Sequence, residues 1–178
     1  MEYTLVRSAR RSLAVQIKSD GNVIVRANYR TSLQTIENFL SSKSAWIKKH
    51  LAEIAGKPAL SKFTEKEIKN FIVSAKAVIP SRVAYFAGVI GVSFGKVTIR
   101  RARTLWGSCT VKGNLNFNCL LVCLPNNVCD YVIIHELCHR KQMNHSQKFW
   151  ALVSQYCPEY KTRRKWLKTF GAEYLGRL

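Results

Sequence analysis

Acidic side chains are scarce in this 178-residue chain. Ten Asp and Glu stand against 29 Lys and Arg, a formal net charge of +19. None falls at positions 68–129, a stretch that holds Lys69, Lys76, Arg82, Lys96, Arg100, Arg101, Arg103 and Lys112. Such a surface attracts polyanions, nucleic acid or anionic membrane, and it equally serves plain solubility; charge speaks to association and not to fold. Long apolar runs are also missing, broken everywhere by Lys or Arg, so no segment reads as a membrane span. The opening MEYTLVRSARRSLAV lacks the apolar stretch of a signal peptide. No C-x-x-C pair occurs among the six cysteines, which argues against a cysteine-built zinc site. They read as small core residues, reduced thiols of a cytoplasmic protein. Internal repeats and low-complexity tracts are absent, which excludes a solenoid. Methionine occurs only at Met1 and Met143, and histidine only four times.

What is present is an ordinary globular composition, 47% apolar and 22% charged, in a chain long enough for a substantial core. The opening reads as β-structure: YTLVR and SLAVQIK favour strands, and Asp20-Gly21 is a hairpin signal before NVIVRA. A helix is expected after Thr31-Ser32, with Ile36, Phe39, Leu40, Ile47, Leu51 and Ile54 on its apolar positions and Gly56 and Pro58 ending it. The stretch IAGKPALSKF marks a boundary, giving an N-terminal β-rich module with a helix over 1–58 and a second domain over 59–178. Thr64 and Glu67 form a capping-box pattern for the next helix, which Pro80 is expected to break or kink. Strands are expected near 96–101 and 115–121. Asn127 with Asp130 makes a helix start for VCDYVIIHELCHRKQ, and two further helices close the chain, one after Ser146 and one over 159–171. This mixture of strands and helices is an α+β fold.

Three of the four histidines fall within HELCHRKQMNH. His135 and His139 are four apart, so on a helix both imidazoles project from one face and can reach a single zinc ion. Glu136 lies about 100° further around the axis, placed to act as general base on a metal-activated water. A catalytic zinc takes a third protein ligand and keeps a fourth position open. His145 supplies it if Met143-Asn144 turn the chain, Asn tolerating the left-handed conformation. Glu159 is the substitute should His145 not serve. His-Glu-x-x-His followed by His five residues further on matches the metzincin spacing, but Gln142 stands where that group has Gly, and no downstream methionine exists for its Met-turn.

The block from TLWGSC to RRKWL resembles the YgjP-like metallopeptidases, relatives of the SprT-like and WLM zinc proteases. The resemblance rests on Trp106-Gly107-Ser108-Cys109, Asn116 and Asn118, Pro125, Asp130-Tyr131, His135 through His139, Asn144-His145-Ser146, Phe149-Trp150 and Pro158-Glu159-Tyr160. It extends through the N-terminal hairpin and SKSAWIKKH, with Leu105 standing where Arg is usual. The resemblance implies a zincin-like core preceded by a β-hairpin and helix module. It also implies one Zn2+ per chain on His135, His139 and His145, Glu136 as base, and hydrolysis of protein or peptide substrates. It suggests that the strand NLNFNCLLV is an edge pairing with substrate backbone, Asn116 and Asn118 contributing. Those asparagines satisfy local backbone equally well. Trp106, Trp150, Trp166 and Tyr131 read as core.

A rival reading is a basic, nucleic-acid-associated zinc module with little or no proteolysis. KSAWIKKH, KVTIRRAR and YKTRRKWLK interleave cations with apolar residues. SprT-like relatives act on proteins at DNA, so the resemblance allows both roles together. No helix-turn-helix, RNP or zinc-finger pattern carries sequence-specific recognition. A purely structural zinc has no use for Glu136.

Overall fold

The computed structural model describes residues 2–18, 20–56 and 61–178. The chain divides into two compact units, Met1–Leu60 and Ser61–Leu178. The expected boundary at 58/59, and Pro58 as a helix stop, lie outside the described residues.

In the first unit, strands β1 (Thr4–Ser8), β2 (Ala14–Ile17) and β3 (Val23–Asn28) form a sheet of order β1-β3-β2. The β2–β3 hairpin turns at Asp20-Gly21: Gly21 adopts φ +83°, which a side chain would oppose, and Asp20 Oδ1 accepts from Asn22 N at 3.0 Å. The module is more than a hairpin, because β1 joins β3 in parallel, Thr4 opposite Ile24. Arg7 ties the sheet to the segment beyond it, donating to the carbonyls of Asn28, Tyr29 and Thr31 at 2.8–2.9 Å. The single helix expected next is two, α1 (Leu33–Ser42) and α2 (Ser44–Ala55), parted at Lys43. Ser42 Oγ donates to the Phe39 carbonyl there, offering the backbone a partner that competes with helix continuation. Val23, Val25, Ala27, Ile36, Leu40 and Ile47 form this unit's core.

The second unit opens with α3 (Glu65–Ile90), whose capping box is formed as expected: Thr64 Oγ1 accepts from Glu67 N, and Glu67 accepts from Thr64 N. Pro80 neither breaks nor ends it. An interior proline costs roughly 3 kcal/mol. Pro80 is exposed, so the carbonyl it frees meets solvent, while Ile79 and Val83 beside it are fully buried. Two such side chains are worth about 1.5–3 kcal/mol each, enough to carry the helix through. Among the described helices α3 alone is long and apolar enough to cross a membrane by length and composition, yet Ile68, Ala75, Ile79, Val83, Ala87 and Ile90 pack into this unit's core.

Strands β4 (Val97–Arg100), β5 (Gly107–Cys109) and β6 (Leu115–Asn118) follow, in the order β4-β6-β5. The run expected as one strand over 115–121 ends at Asn118 and continues as a 3-10 turn, Cys119–Cys123, because Asn118 Oδ1 caps it by accepting from Leu120 N. Helix α4 (Asn126–Cys138) starts after Pro125 without a side-chain cap. Asp130 is no part of that start; it accepts two hydrogen bonds from Arg82 (2.7 and 2.5 Å), joining α4 to α3. Helices α5 (Gln147–Tyr156) and α6 (Tyr160–Gly176) complete the unit. Gly171, the expected stop, lies within α6: a Cβ there would stand 3.0 Å from Trp106 Nε1, so the residue is small for packing. All six cysteines are free thiols.

Candidate active site

Helix α4 is buried nearly all round, at nine of its thirteen residues, because it packs against α3, α5, α6 and β5. A helix in that position has no polar face to spare, so His135 and Glu136 are desolvated. His139 follows directly at the helix end (φ −62°, ψ −17°) and is 7% exposed. His145 is exposed, on the irregular segment that leads into α5. The turn expected from a left-handed Asn144 is made otherwise, since among the described residues only glycines have positive φ. The Asn144 side chain makes it: Oδ1 accepts from Gln142 Nε2 (2.9 Å) and Ser146 N (3.3 Å).

One potential ligand atom from each of His135, His139 and His145 lies within 4.8 Å of the other two. His135 Nε2 and His145 Nε2 are 3.0 Å apart. Two nitrogens on one tetrahedral zinc stand roughly 3.3 Å apart, so this donor set suits a borderline cation. His139 Nδ1 lies 3.1 Å from the Gln142 carbonyl, which leaves Nε2 for the site. Burial, then the neighbouring His139 and His145, push the His135 pKa down to about 3, keeping the imidazole neutral as a ligand must be. Burial lowers His139 too, against the raising effect of its hydrogen bond with the Gln142 carbonyl, and His145 adds to the lowering. Glu159, the substitute ligand, is outside the cluster and pairs with Arg163.

Glu136 is 6% exposed, and desolvation raises its carboxyl to about 8. A cation at the histidines pulls that value down again. The carboxylate lies against β5: a Cβ on Gly107 would stand 2.7 Å from Glu136 Cγ and 2.8 Å from Oε1, so only glycine fits. Trp106-Gly107-Ser108-Cys109 was legible as a motif but not as the wall behind Glu136.

The expected edge strand is corrected. β6 is central, parallel to β4 and antiparallel to β5, so its backbone is already paired. The free edge that packs on α4 belongs to β5. Asn118 N bonds the Trp106 carbonyl and Thr110 N the Asn114 carbonyl, each at 2.9 Å. Antiparallel alternation then turns the N–H and C=O of Gly107 and Cys109 to the open side. Asn118 is 1% exposed and spent on backbone, donating to the Ala102 and Leu105 carbonyls at 2.6 and 2.9 Å. Asn116 accepts from Arg100 Nε (2.8 Å), donates to Ser108 Oγ (3.2 Å), and lines a cleft of about 130 Å³ on the sheet's outer side. Leu105 is 58% exposed. Tyr131 is core, at 4% exposure, while Trp106 and Trp166 pack at its margin.

A helix of this kind, bearing His-Glu-x-x-His beside a small sheet and a third imidazole, defines an α+β metallopeptidase. The family profile described as "YgjP-like, metallopeptidase domain" matches residues 11–71 and 61–170. The chain belongs to that family. No curated protein matches it. Among solved structures it is similar to the metallopeptidase zymogen of Pyrococcus abyssi abylysin, with 24% identity over 52% of this chain and 93% of that one, at a TM-score of 0.48.

Proposed function

We propose that the protein is a zinc-dependent endopeptidase in which His135, His139 and His145 hold the ion and Glu136 is the general base. The observation that carries this reading is the convergence of three imidazoles within 4.8 Å beside a desolvated carboxylate. A zinc ion bound there supplies Lewis acidity toward a water and a peptide carbonyl. Glu136 would take the water's proton as it attacks and return it to the leaving amine, the general-base role of a carboxylate held beside the ion. The N–H and C=O of Gly107 and Cys109 pair with an extended substrate as an added strand, which sets the scissile bond beside Glu136. Metal analysis of the purified protein tests the ion: one zinc per chain is expected, sharply reduced by His145→Ala. Glu136→Gln should retain that zinc and lose about 10²–10⁴-fold in peptide hydrolysis. Cleavage at the parent rate would remove Glu136 as base.

One feature favours a polyanion role alongside hydrolysis. Lys161, Arg164, Lys165 and Lys168 fall on one face of α6 at i, i+3, i+4 and i+7, all exposed. DNA binding that weakens steeply between 50 and 200 mM salt supports it; no binding at low salt removes it.

A further inference from the structure

Metal-ligating histidines are usually held by a hydrogen bond from the second ring nitrogen to a carboxylate, carbonyl or water, which sets the tautomer and raises ligand basicity. Only His139 has such a protein partner among the described residues, the Gln142 carbonyl. His135 Nδ1 is buried without one. Among the described residues the one protein hydrogen-bond contact of the His145 ring is with His135 itself. The ring faces around these imidazoles are aromatic instead. Phe149, wholly buried, contacts all three, with centroids 4.9, 4.5 and 4.9 Å from His135, His139 and His145. Trp150 stacks on His145 at 5.6 Å and 27°, and tilts against His135 at 5.7 Å.

Trp150 is in turn braced from α6. Tyr160 stacks on it at 5.4 Å and 16°, and the Arg164 guanidinium sits 4.6 Å from its ring centroid. Tyr160 and Arg164 are one helical turn apart, so a single face of α6 supplies both contacts. Trp150 N also bonds the Ser146 carbonyl at 3.1 Å, so the brace is built into the chain only five residues beyond the ligand it covers.

We propose that aromatic packing by Phe149 and Trp150, with Trp150 clamped by Tyr160 and Arg164, takes the place of hydrogen-bonding carboxylates in orienting His135 and His145. This rests on the reading of the three histidines as metal ligands. Phe149, Trp150, Tyr160 and Arg164 are positioning residues: they touch the ligands or one another, not the reacting atoms. Affinity for the ion then depends on ring packing, and α6 is coupled to the site through Arg164.

The test uses the full chain, stripped of metal and titrated with Co2+ by its d–d absorption, with Zn2+ competed against a chromophoric chelator. Trp150→Leu should weaken binding about 10–100-fold, the usual range for residues that orient ligands, and alter the Co2+ bands. Trp150→Phe, which keeps a ring against His145, should recover most of that loss. Arg164→Gln, at an exposed position, should weaken binding several-fold while the melting temperature of the metal-free protein stays at the parent value. Parent-like affinity and spectra in both Trp150→Leu and Arg164→Gln, with binding lost in His145→Ala, would overturn the aromatic clamp and leave the metal site standing. Parent-like binding in His145→Ala would overturn the site itself and the clamp with it.

Discussion

Helix α4 delivers His135 and Glu136 from a segment buried at nine of thirteen positions, whereas His145 stands exposed on a stretch with neither helix nor strand. In α4, apolar packing on all sides determines where the side chains sit, and desolvation sets their chemistry. In the turn, position is set by polar side chains: Gln142 bonds His139 through its carbonyl and Asn144 and Ser146 through its amide. The segment is thus turned by Gln142's hydrogen bonds, without a left-handed residue there. The difference teaches that a single site combines a rigid half, which tolerates no change of volume, with a half held by weak bonds and ring contacts.

Substitutions on the two halves should fail differently. Ile133→Ala, at a fully buried α4 position, should cost about 2–5 kcal/mol of stability in chemical denaturation. A cost below about 1 kcal/mol would mean that α4 is not held by its packing. Gly107→Ala should displace the Glu136 carboxylate and lower peptide hydrolysis about 100-fold with metal affinity unchanged. If metal affinity fell as far as rate, the wall behind Glu136 would belong to the ligand half as well.

The metal-free protein should show the desolvation of α4 as a pH dependence of its melting temperature. Glu136, raised to about 8, keeps its proton in the folded state where the unfolded chain loses it near 4.5, so stability falls as pH rises from about 4.5 to about 8. His135, lowered to about 3, stays neutral while the unfolded chain takes a proton near 6.5, so stability falls as pH drops from about 6.5 to about 3. The two slopes oppose each other between 4.5 and 6.5, leaving a maximum there. Glu136→Gln should remove the alkaline limb alone; a limb that persists must come from another group. Smallest of all, Asn144→Ala should cost about 1 kcal/mol or less of stability. It should still weaken metal binding about tenfold by loosening the turn. An unchanged affinity would show that ring packing alone holds His145.

Much of this was readable because it is local. The Thr64–Glu67 capping box and the Asp20-Gly21 turn each involve residues within three positions, and both formed as expected. Pro80 does not break α3, and Lys43 parts a helix expected to be continuous, for the same reason from the other side. The first is overruled by Ile79 and Val83 packing into the core, the second introduces a break where apolar periodicity continues. β5 is three residues long with no alternating pattern, so nothing in Gly107-Ser108-Cys109 announces a strand until β6 pairs with it.

By itself the sequence determined the candidate donor residues and the relation between two of them. A spacing of four on a 3.6-residue helix aligns His135 with His139 whatever the surroundings, and Glu136 follows from the same geometry. Tertiary structure decided which strand is the free edge, why Gly107 admits no side chain, and which rings enclose the imidazoles. Those depend on contacts such as Gly107 with Glu136, and Trp150 with Arg164, made between elements that meet only when burial of the core brings them together.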